Sequence, residues 1–147
     1  MSGGILTQRN IGIELALTAA KAALDAARVR GYYRTGVAVT NRAGQIVVLI
    51  RSDEAGPHLL DSARRKAYTA ASMNARTSAA SKAIDERTGE PDPHLIHLND
   101  VLLVGGGVPI RIGDEIIGAI GVAGSPGSIH DEECADAGIA QIERSLR

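Results

Sequence analysis

The chain has 147 residues (15.3 kDa), with 16 basic and 17 acidic side chains and a formal charge of −1. That length suits one domain with one core, which buries about 70% of the unfolded surface. A pI of 6.4 excludes the strong basic excess of an electrostatic nucleic-acid binder, and an apolar share of 44% excludes a disordered composition.

Phe and Trp are absent, and Tyr32, Tyr33 and Tyr68 are the aromatics beyond histidine. The core must therefore be built from Ala, Val, Ile and Leu, which bury less area per side chain, and oligomerisation is one remedy. The single Cys134 rules out an intrachain disulfide framework and fits a reducing compartment. The opening MSGGILTQRN has neither the basic region nor the apolar run of a secretion signal, and no stretch approaches the ~18 apolar residues that span a bilayer. The expected location is the cytoplasm, with no membrane or nucleic-acid partner.

In chain order, residues 8–30 follow Thr7 and read as an alanine-rich amphipathic helix, with Ile11, Leu15, Ala19, Ala22, Ala26 and Val29 as the inward stripe and Gly31 as the stop. Residues 36–41 and 45–50 are β-branched runs joined by Arg42-Ala-Gly44, a hairpin signal. His58 to Met73 reads as a helix with Leu59, Ala63, Ala67 and Ala70 or Ala71 inward, and Asn74 to Arg87 continues as a second helical segment. Thr88 to His94, with Gly89, Pro91 and Pro93, is a loop. Val101 to Val104 reads as a short strand before Gly105-Gly106-Gly107. Residues 108–112 and 115–123 form a hairpin through Gly113-Asp114, and a last helix follows the Gly124 to Ser128 loop. The predicted architecture is α+β, a five-stranded, largely antiparallel sheet with helices on both faces, in one domain over residues 1–147.

The triple glycine resembles an anion cradle, but it leads into Val108-Pro109-Ile110 and a strand rather than opening a helix, so the reading is a tight corner that could also border a ligand. His94 and His97 lie three apart without a third ligand, and no metal site is expected. His58 and His130 both stand at loop-to-helix corners, where a histidine is either solvated or part of a pocket. Cys134 has acidic neighbours that oppose thiolate formation, which points to a buried, inert thiol. Lys66 lies near an apolar stripe, either as a buried amine and anion anchor or with its ammonium snorkelling to solvent. No Gly-x-Ser-x-Gly elbow marks a serine hydrolase.

Leu6-Thr7 ahead of an alanine-rich helix, Lys66-Ala-Tyr-Thr-Ala70, Gly105-Gly-Gly-Val-Pro-Ile110, Ile117-Gly-Ala-Ile-Gly-Val-Ala-Gly124 and Asp131-Glu-Glu-Cys-Ala-Asp-Ala-Gly138 together resemble the GlcG/HbpS family, which includes the C-terminal domain of PduO-type proteins. The resemblance spans nearly the whole chain. It implies a profilin-like fold, homo-oligomers that are often octamers, and haem binding or haem degradation in some members. Carried onto this sequence it implies a ligand region of Lys66, Thr69, Gly105, Gly106, Gly107, Pro109, His130 and Asp131. Residue chemistry separately makes His58, His130 and Lys66 candidates for catalysis, the histidines to move a proton and the lysine to neutralise a carboxylate. Many relatives read Val-Val-Asp and Gly-His-Leu where this chain has Val39-Thr40-Asn41 and Gly44-Gln45-Ile46. The expected function is haem or small-anion binding near a subunit boundary. The alternatives are a cofactor-free enzyme on a small hydroxy- or oxo-acid, or a non-catalytic scaffold or sensor.

Overall fold

A computed structural model describes residues 3–147. Helix α1 (Ile13–Val29) is followed by the strands β1 (Gly36–Asn41) and β2 (Ile46–Arg51) and by helix α2 (His58–Met73). Two one-turn helices, α3 (Thr77–Ala80) and α4 (Pro93–Ile96), precede the strands β3 (Gly107–Ile112) and β4 (Glu115–Ala123), and helix α5 (Ser128–Ile142) runs into a final 3-10 turn, Glu143–Leu146. The strands form one antiparallel sheet in the order β2-β1-β4-β3.

Successive side chains of a strand alternate between faces, and here the two faces differ in chemistry. Val37, Val39, Val108, Ile110, Ile120 and Val122 pack in the main core with the buried alanines of α1 and with Cys134 and Ala135 of α5. The opposite face carries Ala38 and Ala123 against Ala63 and Ala67, and Ala119 against Ala70 and Ala71. Glycines complete it. A Cβ at Gly121 would overlap the Ala63 carbonyl and stand 2.6 Å from the Ala67 nitrogen, and one at Gly36 would stand 2.8 Å from the Leu59 carbonyl. With almost no side-chain volume in between, α2 lies nearly backbone to backbone on the sheet. The layers are therefore α1 and α5, the sheet, then α2.

The sheet among the described residues has four strands, not five. Val101 to Val104 are irregular, with a bend at Val104, and join no ladder. Their backbone is taken by side chains of α2: the Thr69 hydroxyl accepts from the Leu102 N–H at 2.9 Å, and the Arg65 guanidinium donates to the Val101 carbonyl at 3.0 Å. Each backbone group so engaged is satisfied without a neighbouring strand.

Three other expectations need correction. Helix α1 starts at Ile13 rather than residue 8, because Ile11 donates its N–H to the Ile117 carbonyl and is held by β4. Its buried stripe is Ala16, Ala19, Ala20, Ala23 and Ala27, while Val29 is exposed. The polar residues Glu14, Thr18, Lys21, Asp25 and Arg28 line the opposite side at spacings of three and four, so the contrast between faces lies in them and not in the larger apolar residues. The segment after α2 stops in a left-handed Asn74 and regains only the single turn α3, whereas the expected loop at Pro93 contains α4, capped by Asp92 on the His94 N–H at 2.9 Å.

The contact between α2 and the sheet leads to a stability prediction. Gly121→Ala should lower unfolding free energy by about 1–3 kcal/mol through overpacking, while Gly12→Ala, with open space around its Cβ position, should stay close to wild type. Urea melts of the two variants check this; equal midpoints would contradict the close packing.

Candidate functional site

The expected ligand residues fall into two environments. Lys66 is buried on α2, its side chain 4% exposed, and donates from Nζ to Asp131 Oδ2 at 2.9 Å and to the Val122 carbonyl at 3.0 Å. Asp131, 5% exposed in the first turn of α5, also accepts the Ser125 N–H on Oδ1 at 3.0 Å. Lys66 is thus the buried amine of the two alternatives, and its anion is internal. Gly106, at φ +134°, gives it passage: a Cβ there would stand 2.8 Å from Lys66 Cδ. Gly107 donates its N–H to the Thr77 hydroxyl at 2.8 Å, and Gly105 lies against Ser128. Thr69, Gly105, Gly107 and Pro109 are buried as well.

His130 stands apart from this cluster. Its ring lies tilted against Tyr32, with centroids 5.9 Å apart at 50°, and its Nδ1 is 3.3 Å from Glu133 Oε2. An Nδ1–H held by a carboxylate leaves the Nε2 lone pair free to accept a proton or bind a metal. Beside it opens a hollow of about 540 Å³ between two loops, lined by Arg30, Tyr32, Tyr33 and Arg34 on one side and by Gly124, Ser125 and Pro126 on the other, with Glu54 at its edge. Tyr32, Tyr33 and Glu54 also border a second hollow of about 400 Å³ that reaches Arg28 and Arg51. Two exposed arginines and two phenol rings offer an anion-binding end and a flat surface, with the His130 imidazole behind Tyr32 rather than in the lining, and one guanidinium nitrogen of Arg30 donates to the Ala26 carbonyl at 3.1 Å.

Lys66, Thr69, Gly105, Gly106, Gly107 and Pro109 line neither hollow. Asp131 reaches the hollow through Ser125, and His130 through Tyr32. Arg30, Tyr32, Arg34 and Glu133 were not singled out from the sequence. The signal was present in Tyr32-Tyr33, two of three tyrosines in a chain without Phe or Trp, placed between arginines.

The remaining candidates are peripheral. His58 is exposed at the start of α2, with its ring folded over Gly56. His94 and His97 are exposed, and among the described residues no three His, Cys, Asp or Glu side chains are arranged to hold a metal ion. Cys134 is fully buried in the main core.

Comparison with known proteins places the chain. The family described as haem degrading protein HbpS-like matches residues 11–140. The chain belongs to the HbpS-like family. A solved double mutant of HbpS from Streptomyces reticuli is 38% identical and superimposes with a TM-score of 0.85, over 95% of this chain and 92% of that one. A PduOC:heme complex shares the HbpS-like fold at 23% identity, with a TM-score of 0.81 over 90% of this chain and 95% of its own. A 15.0 kDa protein of the dhaT-dhaS intergenic region of Citrobacter freundii is 28% identical over 86 residues, which span 58% of this chain and 61% of that relative's length.

Burial pushes the Cys134 thiol above its ordinary range, with nearby Asp131 and Glu133 adding in the same direction against an opposing effect of Arg30. An acid whose folded pKa is raised adds stability below its unfolded pKa, lost as pH rises beyond it. Native protein should therefore label slowly with iodoacetamide at pH 8, and unfolding free energy should begin to decline as pH passes about 9. Labelling as fast as in urea would contradict the buried thiol.

Proposed function

We propose that the protein binds haem in the hollow beside His130, with Arg30 and Arg34 pairing with the carboxylates of the ligand and Tyr32 and Tyr33 lying along its ring. The observation that carries this reading is the His130–Glu133 contact, which orients an imidazole next to Tyr32 of the lining and leaves Nε2 available. Membership of the HbpS-like family and the likeness to a PduOC:heme complex support it. The residues would meet the chemical needs of the group: an imidazole nitrogen that could bind iron, flat aromatic surface and cationic partners for two acids. Bound haem would supply an iron centre for electron transfer or dioxygen chemistry. The protein's own part is to hold and orient it.

In this proposal the hollow lies near a boundary between copies of the chain. A third hollow, of about 530 Å³ between α1 and α5, has Ala22, Ala26, Val29 and Ala137 in its lining, edged by the polar Thr18, Lys21, Asp25 and Gln141, and shares Arg30 with the ligand hollow. Leu17 and Val29 add exposed apolar surface to α1. Ridges of such small residues allow close helix packing against a second copy. Self-association, up to an octamer, would cover this face and enclose one side of the ligand site. No helix among the described residues is long and apolar enough to cross a membrane.

The two arginines also favour a second reading, in which a small hydroxy- or oxo-acid binds there and His130 moves a proton as general base. The two readings differ in ligand, not in location. A scaffold or sensor role without turnover is compatible with either.

Titration with haemin should give a shifted Soret band that His130→Ala abolishes or weakens at least about tenfold while His58→Ala retains it. A band unchanged by His130→Ala would refute the site. Stabilisation of the wild type by small carboxylic acids but not by haemin, in a thermal-shift series, would favour the second reading. Light scattering should report an oligomer that Ala26→Glu dissociates; a wild-type monomer would refute the boundary.

A further inference from the structure

We propose that Lys66 is a positioning residue for the ligand hollow, acting through Asp131 on the Gly124–Pro126 wall and on the turn that carries His130. The inference rests on the reading of that hollow as the ligand site.

The connection is continuous and short. Lys66 leaves α2, passes the bare backbone of Gly106 and ends on Asp131 Oδ2 and the Val122 carbonyl, one residue before the end of β4. The other oxygen of the same carboxylate accepts the Ser125 N–H. Ser125 turns its hydroxyl to the Gly127 carbonyl at 2.6 Å, and Gly127 in turn accepts the N–H groups of His130 and Asp131. One buried cation therefore fixes the end of β4, the loop wall and the first turn of α5 relative to α2. Gly124 brings the same loop against Arg34 on the facing wall, where a Cβ would overlap the Arg34 carbonyl.

Lys66 is poorly placed to meet a ligand itself. Its amine is buried and committed to a carboxylate and a carbonyl, and neither hollow beside His130 includes it. Burying this pair carries a large desolvation cost that its hydrogen bonds must offset. Apolar residues of similar volume would fill the space without that cost, but they would offer nothing to Ser125. What the pair adds over an apolar filling is direction: a carboxylate oxygen aimed at one backbone N–H of the site wall.

Two measurements test the inference. In the wild-type protein, native-state hydrogen exchange should find the Ser125 amide protected to the level of Val122 in β4 although it lies in a surface loop; exchange as fast as that of an open loop would overturn the proposal. The double variants Lys66→Met/Asp131→Asn and Lys66→Met/Asp131→Leu both remove the charges, but only the first keeps an acceptor oxygen for Ser125. Haemin affinity, measured well below both melting temperatures, should be about tenfold weaker in the Leu form than in the Asn form, the scale of one lost hydrogen bond in the site wall. Equal affinities would overturn the proposal while leaving the haem reading intact. If the wild type fails to bind haemin, the haem reading falls, and Ser125 protection still decides whether the wall is held. Should the Leu form not fold, the wild-type exchange result stands as the deciding test.

Discussion

A lysine without water around it must find its acceptors inside the protein, and much of this molecule is arranged around that need. Lys66 and Asp131 sit on opposite sides of the sheet, on α2 and α5, and meet at its end beside Val122. The meeting requires α2 to lie close to the strands, Gly106 to leave a passage and α5 to begin where it does. An uncompensated partner in that position would leave a buried charge, which is strongly destabilising. The pair therefore constrains where three elements are placed, and the loop that walls the candidate site is one of them.

Closeness is achieved by removing side chains. The face of the sheet under α2 holds Ala38, Ala119, Gly121 and Ala123, and the helix answers with Ala63, Ala67, Ala70 and Ala71. The other face takes the branched residues and packs them against the alanines of α1 and against α5, where Gly138 comes down on the Ala19 carbonyl. A core of this kind explains why the chain needs neither Phe nor Trp. It also leaves the three tyrosines for other work: Tyr68 packs on the Gly44 turn of the first hairpin, and Tyr32 and Tyr33 flank the hollow near His130.

Much of this was legible in the sequence where local chemistry decides the outcome. The hairpins around Gly44 and Gly113 and the span of α2 follow from β-branched runs, glycines able to take positive φ and a clean apolar stripe. The face of α1 was legible in its polar residues rather than its apolar ones: Glu14, Thr18, Lys21, Asp25 and Arg28 recur at spacings of three and four on the side away from the buried alanines, whereas a stripe traced through Leu15, Ala22 and Val29 runs along the helix flank. The strand expected at Val101 to Val104 was lost to Arg65 and Thr69, side chains more than 30 residues away whose hydrogen bonds no local pattern announces. Lys66 and His130 stood out by their places along the sequence, and the resemblance to the family added Asp131. It could not tell which of them touch a ligand, since that depends on Lys66 and Asp131 consuming each other's charge. The paired tyrosines between arginines were a signal in the sequence, but their place opposite Gly124 is set by the fold.

The site thus divides into a buried support and an exposed surface, the surface proposed to hold haem. Ferric haem is paramagnetic and broadens nearby amide signals, so an amide NMR spectrum recorded with substoichiometric haemin maps its position directly. The account predicts selective loss of the Tyr32, Tyr33, Arg34, Gly124 and Ser125 signals. Broadening centred on Gly105 to Gly107 or on His58 instead, or spread evenly over the surface, would contradict it.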